Sequence, residues 1–235
     1  MELYLIRHGQ SANNLREQVL AEQPRTAPAA VASRMADPPL TDLGELQARL
    51  AGESLRGEGI TRLYCGPMLR TLQTAQIIGT LLDLSLHVFV GLHEWGGVWE
   101  SRDDGTRVQL PGLTRKEMSA MFPGVVLPAD VTDRGWWFHD WEGDRAMLQL
   151  AHRNAVSFVA HLEAHHVGAE QRVGAVLHGG FGSSLVGALV GVPQDVLYER
   201  FTHENTGISR ISITLQRRQI RYLNRTDHLL PAHVT

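Results

Sequence analysis

Short apolar runs alternate with longer stretches of helical periodicity along most of this chain. The apolar runs fall at residues 3–6, 61–65, 87–90 and 173–177. Such runs are typical of strands that are buried on both faces of a sheet. Hydrophobic residues recur every three or four positions at 42–55, 68–82 and 144–166, and this spacing predicts helices. The repeated strand–helix order predicts an α/β fold, a three-layer sandwich with a mostly parallel central sheet and helices on both faces.

The parts of the chain outside this repeat carry weaker signals. Two further helices are predicted, one at 185–190 and one from Pro193 onward. Two closing strands are predicted at 208–215 and 219–223. The prolines and alanines of residues 23–39 indicate an irregular surface segment. Over 97–143 the periodicity is weak apart from a short helix at 114–121. We therefore interpret 97–143 as a cap inserted into a single α/β domain that spans residues 1–235.

Composition and charge limit the class of protein. Hydrophobic residues make up 43% and charged residues 20% of the chain, as is typical of a soluble globular protein, and the formal net charge is −3. This balance argues against a general binder of nucleic acid or membrane surfaces. The apolar stretches are too short to span a bilayer, no secretory leader is apparent, and Cys65 alone cannot form an internal disulfide. We therefore expect a cytoplasmic protein, and the sequence leaves a homodimer open.

Three predicted strand-to-helix junctions carry cationic or reactive side chains. The first strand ends in Arg7-His8-Gly9, the second leads to Arg70, and the strand before the last apolar helix runs into His178. Glu94 follows the third strand. Because the carboxyl ends of parallel strands lie at one edge of a sheet, we expect these side chains to converge there.

The chemistry of this set suits a phosphate ester. Arginines neutralise phosphate charge with a fixed fork of donors. One imidazole can attack phosphorus and carry the phosphoryl group covalently, while a second donates to the equatorial oxygens. A carboxylic acid can protonate the leaving oxygen and later deprotonate a water. None of these roles requires a metal ion or another cofactor, so we expect neither.

A set of short motifs runs through nearly the whole chain. They are Leu5-Ile-Arg-His-Gly-Gln-Ser11, Leu40-Thr-Asp-Leu-Gly44, Tyr64-Cys-Gly-Pro-Met-Leu-Arg70 with Gln73-Thr-Ala75, Leu92-His-Glu94, and Val176-Leu-His-Gly-Gly180. In this order they resemble the motifs of the histidine phosphatase superfamily, in its phosphoglycerate mutase-like branch. A lone Arg-His-Gly would be a weak signal, whereas the ordered set is specific.

The resemblance implies a role for each matching residue. It makes His8 the phosphorylated nucleophile and Glu94 the acid and base. It also implies a phosphate pocket formed by Arg7, Arg70 and His178, with Asn14 and the backbone N–H of Gly179 as further donors.

Three functions follow from these expectations. The first is hydrolysis of a small-molecule phosphomonoester through a phosphohistidine at His8. The second is a phosphoglycerate mutase-type isomerisation through the same intermediate, and the third is a non-catalytic module that binds a phospho-ligand or a partner. We rank hydrolysis first because the basic residues after Glu94 are too dispersed to bind a substrate carboxylate: Arg102, Arg107, Arg115 and Lys116.

Some residues also have simpler interpretations. Glu94 is compatible with an exposed loop acid, and Asn14 with the cap of a turn. His161 and His165 have the spacing of a metal-binding pair, but histidines near the end of a helix also suit its dipole, and no nearby acid or cysteine completes a site. The tryptophans of 97–143 fit core packing as well as substrate stacking.

Overall fold

A six-stranded sheet forms the centre of the computed structural model, which describes residues 1–22, 34–102, 104–168, 171–192, 201 and 203–235. Its strands are β1 (Glu2–Arg7), β2 (Arg62–Cys65), β3 (Leu86–Val88), β6 (Arg172–Leu177), β7 (Ile208–Ile213) and β8 (Arg218–Arg225). A separate two-stranded sheet contains β4 (Trp99–Ser101) and β5 (Arg107–Gln109). The α-helices are α1 (Ala12–Glu22), α2 (Asp42–Leu55), α3 (Leu69–Leu82), α4 (Arg115–Met121), α5 (Asp144–His166) and α6 (Gly179–Val190).

The strand order confirms the predicted α/β class. In the order β3-β2-β6-β1-β7-β8, the first four strands are parallel, β7 runs antiparallel to β1, and β8 runs antiparallel to β7. Strand β1 therefore lies inside the sheet, between β6 and β7. This position explains its continuous apolar run, since both faces of an interior strand are covered.

The two faces of the sheet bury separate hydrophobic clusters. On β1, Tyr4 and Ile6 belong to one cluster, while Leu3 and Leu5 belong to the other. Side chains of α2 and α3 pack in the first cluster, and side chains of α5 and α6 pack in the second. Helices therefore cover both faces, as predicted. Each large side chain buried in this way contributes roughly 1.5–3 kcal/mol.

The range 97–143 contains the β4–β5 hairpin and α4. The helix was predicted, but the two strands were not, because three residues per strand are too few to produce a readable alternation. Trp136 and Trp137 are buried in the same cluster as residues of β2 and α3. The helix expected after Pro193 and most of the segment 23–39 lie outside the described residues. Within the described ranges, no helix is long and apolar enough to cross a membrane.

Candidate active site

The turn after β1 places His8 at the sheet edge. The backbone N–H of His8 donates to the carbonyl of Leu177 on β6, at 2.9 Å. A Cβ atom on Gly9 would lie 2.3 Å from the backbone oxygen of Gly44, so the backbones of these two residues approach too closely for a side chain. The first two sequence motifs are therefore in direct contact.

The His8 imidazole has a defined protonation pattern. Its Nδ1 lies 2.7 Å from the carbonyl oxygen of Gly9, which can only accept, so Nδ1 carries the proton. Arg70 donates from Nε to the other ring nitrogen, Nε2, at 3.1 Å. Burial, followed by the charges of Arg70 and Arg7, holds the pKa of His8 well below its ordinary value. His8 is consequently neutral at pH 7, with a lone pair on Nε2.

Arg70 reaches this position from the first turn of α3. Its Nη1 lies 3.7 Å from a carboxylate oxygen of Asp37, and the same carboxylate accepts from the backbone N–H of Leu69 at 3.1 and 3.2 Å. Asp37 thus orients both the helix start and the arginine. Asp37 was not predicted as a site residue, because no motif surrounds it in the sequence.

Arg7 and His178 stand on neighbouring strands. Arg7 is paired in register with Leu177, so the residue after Leu177 falls beside the residue after Arg7. The rings of His8 and His178 meet edge to face, with centroids 5.1 Å apart. Both ring nitrogens of His178 and the Nε of Arg7 are buried and have no hydrogen-bond partner within the described part of the chain. An unsatisfied buried polar group costs about 1–3 kcal/mol, and phosphate oxygens are acceptors that would remove this cost.

Glu94 is held against the start of α6. Its carboxylate accepts from the backbone N–H groups of Trp95, Gly180 and Phe181, at 3.1, 3.1 and 2.9 Å. These hydrogen bonds and Arg70 favour the anion, but burial has the larger effect and raises the pKa of Glu94 above its ordinary value. Glu94 is therefore a partly exposed residue of the cavity wall that is anchored to a helix start, and not an exposed loop acid.

Helix α6 begins earlier than predicted. The sequence indicated a helix over 185–190, whereas α6 starts at Gly179, directly after His178. Its glycine-rich first turn has a low helix propensity, which hid the start of the helix in the sequence. A Cβ atom on Gly180 would lie 2.8 Å from Oε1 of Glu94, so this glycine admits the carboxylate to the helix terminus.

Six of the seven predicted site residues line one cavity of about 540 Å³: Arg7, His8, Asn14, Arg70, Glu94 and Gly179. His178 is fully buried beside His8 instead. The Oδ1 of Asn14 accepts from the backbone N–H and the hydroxyl of Ser11, at 3.1 and 2.9 Å. Asn14 therefore caps a turn and also borders the cavity, and its role as a phosphate donor stays a prediction.

Two buried histidines were missed by sequence reasoning. His93 has Nδ1 at 2.8 Å from the carbonyl oxygen of Glu94 and Nε2 at 2.9 Å from the amide nitrogen of Asn154, and it thereby fixes the backbone of the acid. His203 lines the cavity, and its carbonyl accepts from Nη1 of Arg7. Burial is the main cause that lowers the pKa of each to about 4. His93 lies inside the Leu92-His-Glu94 motif but was not singled out beside Glu94, whereas His203 lies outside the quoted motifs.

The range 97–143 contributes no described residue to the cavity wall, although Trp95, just before it, does. Its interpretation as a domain insertion stays a prediction. His161, half of the possible metal-binding pair, contacts another side chain: its Nε2 lies 3.0 Å from the hydroxyl of Tyr64. In the ranges that the structure describes, no group of three or more histidine, cysteine or carboxylate side chains could hold a metal ion.

Comparison with known proteins identifies the family. A model described as the histidine phosphatase superfamily (branch 1) matches residues 3–226. A Yersinia pestis protein named "Probable phosphoglycerate mutase GpmB" is 26% identical over 212 residues, which cover 90% of this chain and 84% of that protein.

Two solved structures share the fold at low sequence identity. A phosphoserine phosphatase mutant from Entamoeba histolytica, in complex with phosphoserine, has 20% identity and a TM-score of 0.62, with 97% of this chain and 99% of that chain covered. The α-ribazole phosphatase from Shigella flexneri has 21% identity and a TM-score of 0.62, with 96% of each chain covered. The fold, the ordered motifs and the family model agree, and the chain belongs to the histidine phosphatase superfamily, branch 1.

Proposed function

We propose that the protein is a metal-independent phosphomonoesterase in which His8 carries the phosphoryl group. The observation that carries this proposal is the orientation of the His8 ring. The hydrogen bond from Nδ1 to Gly9 leaves the lone pair on Nε2, and Arg70 lies 3.1 Å from that atom. A neutral nucleophile beside a guanidinium group suits attack on a phosphate dianion, whose charge would otherwise repel it.

In the first half-reaction, the ester phosphate binds among Arg7, Arg70 and His178. Arg70 transfers its Nε–H hydrogen bond from His8 to a phosphate oxygen, and the freed Nε2 lone pair forms a bond to phosphorus while the bond from phosphorus to the ester oxygen breaks. Glu94, whose raised pKa favours the protonated form, gives its proton to the leaving oxygen. The alcohol departs, and the phosphoryl group remains on the imidazole.

In the second half-reaction, a water molecule replaces the alcohol. The Glu94 carboxylate takes a proton from this water as its oxygen bonds to phosphorus. The bond from phosphorus to Nε2 breaks, its electron pair returns to the His8 ring, and inorganic phosphate leaves. Glu94 thus alternates between acid and base, and both half-reactions use the same cationic groups to stabilise the equatorial oxygens.

A mutase is the second candidate function, supported by the name of the Yersinia pestis relative. It would use the same phosphohistidine but return the phosphoryl group to another hydroxyl of the substrate instead of to water. The two functions are separated by incubating the protein with 3-phosphoglycerate and measuring 2-phosphoglycerate and free phosphate. Faster isomerisation than phosphate release would reverse our order of preference.

Substitution of the nucleophile tests the shared chemistry. We expect His8→Ala to lower phosphate release from p-nitrophenyl phosphate by at least about 1,000-fold, because no other side chain supplies the covalent route. The matched control is His152→Ala, which removes an exposed histidine on α5. Undiminished turnover by a folded His8→Ala protein would contradict the proposal.

A further inference from the structure

Arg34 lines the same cavity as His8 and Arg70 but has no part in the proposed mechanism. Its Nη1 donates to the carbonyl of Trp99 at 2.6 Å, and its guanidinium carbon lies 3.5 Å from the centroid of the Trp99 ring. Among the described residues, no carboxylate lies within ion-pair distance of Arg34. Arg34 is therefore an ordered cation at the cavity wall that forms no direct ion pair in the described part of the chain, although the charge of Glu17 acts on it.

A stack of alternating arginine and tryptophan side chains holds Arg34. The guanidinium carbon of Arg107 lies 4.3 Å from the centroid of the Trp99 ring and 4.0 Å from that of Trp141. Trp141 in turn lies 6.5 Å, centroid to centroid, from Trp95, which borders the cavity beside Glu94. Cation–π contacts of this kind order a long side chain before a ligand arrives, which lowers the entropy lost on binding.

The described wall of the cavity carries three arginines, Arg7, Arg34 and Arg70, and two carboxyl side chains, Glu17 and Glu94. Arg7 and Arg70 adjoin His8, and Arg34 lines the same wall near enough to Arg70 for the two charges to repel each other. Burial and the charges of Arg70 and Arg107 lower the pKa of Arg34 to about 10, so it stays charged at neutral pH. An anion at this position would relieve the repulsion among the arginines.

We infer that Arg34 binds a second anionic group of the substrate, a carboxylate or another phosphate, while the phosphoryl group to be transferred occupies the His8 end. The cavity of about 540 Å³ is much larger than a single phosphoryl group, so both groups of a small ester fit within it. The inference rests on the proposed function and names a class of substrate for it. It also assigns a role to Trp99 and Trp141, which order Arg34 without lining the described wall of the cavity.

A matched pair of competitors tests this inference. Glycerol 3-phosphate and 3-phosphoglycerate differ only in a hydroxymethyl group against a carboxylate, and each can compete with p-nitrophenyl phosphate. We expect the inhibition constant of the carboxylate compound to be at least about tenfold lower, because a hydrogen bond between charged groups contributes enough binding free energy for that change in affinity. Fructose 6-phosphate and fructose 1,6-bisphosphate form the parallel pair for a second phosphate, and the pair with the larger ratio identifies the preferred anion.

Substitutions then assign the preference to one side chain. Arg34→Gln is expected to bring the ratio of inhibition constants close to one, and Arg34→Lys, which keeps the charge but loses the planar fork, is expected to retain part of it. Arg134→Gln, which removes an exposed arginine, is the control with the same change of charge and is expected to keep the ratio.

The outcomes distinguish this inference from the proposed function. A ratio near one in the unmodified protein, or an unchanged ratio in Arg34→Gln, overturns the inference while hydrolysis through His8 stands. Turnover of p-nitrophenyl phosphate that survives His8→Ala overturns the proposed function, and the substrate class built on it falls as well. A lowered ratio in Arg134→Gln would reassign the preference to the overall charge of the protein.

Discussion

The two ends of the cavity are built in different ways. At the reactive end, Arg7, His8 and Arg70 come from strand-to-helix junctions of the parallel sheet. Arg7 and His8 are held by hydrogen bonds to backbone carbonyls, and the Asp37 carboxylate lies 3.7 Å from Arg70. At the other end, Arg34 belongs to a segment without regular structure and is held by contacts with Trp99 of the β4–β5 hairpin. The comparison indicates that the sheet positions the reactive end, while contacts between a segment without regular structure and the β4–β5 hairpin hold the residue that we propose selects the substrate.

The largest effect is expected from a substitution of Glu94, which acts in both chemical steps at the reactive end. Glu94→Gln keeps the shape and the hydrogen-bond acceptor but cannot give or take a proton. We expect kcat to fall about 100- to 10,000-fold for an alkyl phosphate, whose leaving oxygen needs the proton. With p-nitrophenyl phosphate, whose leaving group is stable as an anion, formation of the phosphohistidine is expected to change much less. Pre-steady-state release of nitrophenol measures this step, and equal losses for both esters would contradict the role of Glu94.

Acid is the next perturbation, and we expect it to protonate buried histidines at the reactive end of the cavity. The folded pKa of His93 and of His203 is about 4, below the ordinary value of 6.5. The unfolded chain therefore binds more protons between these values, so stability is lost as the pH falls from about 6.5 to 4. Each histidine contributes about 3 kcal/mol to this loss. Urea unfolding at several pH values measures it.

The guanidinium of Arg34 does not titrate in this window, since the pKa of Arg34 is about 10. The ratio of inhibition constants for glycerol 3-phosphate and 3-phosphoglycerate is therefore expected to persist at pH 5.5 if the protein remains folded.

A free energy of unfolding that stays constant from pH 7 to pH 4.5 would contradict the assignment of neutral buried histidines.

The smallest expected effect lies in the stack. Trp99→Leu keeps an apolar side chain beside Arg34 but removes the aromatic face, a loss of about 1 kcal/mol for a partly exposed cation–π contact. We expect the preference for the carboxylate compound to fall about fivefold through its inhibition constant, with kcat for p-nitrophenyl phosphate retained. A loss confined to kcat would show that Trp99 supports the reactive end and would break the comparison.

The difference between the two ends also explains what could be predicted from the sequence. Interior strands such as β1 and β6 give continuous apolar runs in the sequence. The residues that follow these runs, His8 and His178, lie in the site. The alignment of His8 with His178 follows from parallel pairing alone. Asp37 and His203 gave no signal, and His93 was passed over within the Leu92-His-Glu94 motif, because each acts through a contact with a distant part of the chain. Asn154, for example, meets His93 across 61 residues of sequence.

The tryptophans show the same limit of local reasoning. Trp136 and Trp137 are buried in the core, whereas Trp99 and Trp141 contact arginines, yet all four fall in one stretch of weak periodicity. Local sequence cannot separate these roles, because the difference depends on which segments fold back against them. The start of α6 was also mispredicted. Its glycines weaken the helical pattern in the sequence, and Gly180 leaves room for the Glu94 carboxylate to reach the backbone.

The central claim is that His8 carries the phosphoryl group, and trapping that intermediate tests it most directly. Glu94→Gln mixed with p-nitrophenyl phosphate and quenched in alkali is expected to accumulate one acid-labile phosphoryl group per chain, because water activation is impaired while the first step proceeds. Peptide mapping by mass spectrometry is expected to place that group on His8, and the His8→Ala protein is expected to carry none. Turnover with no phosphorylated protein, or phosphate on another residue, would contradict the account.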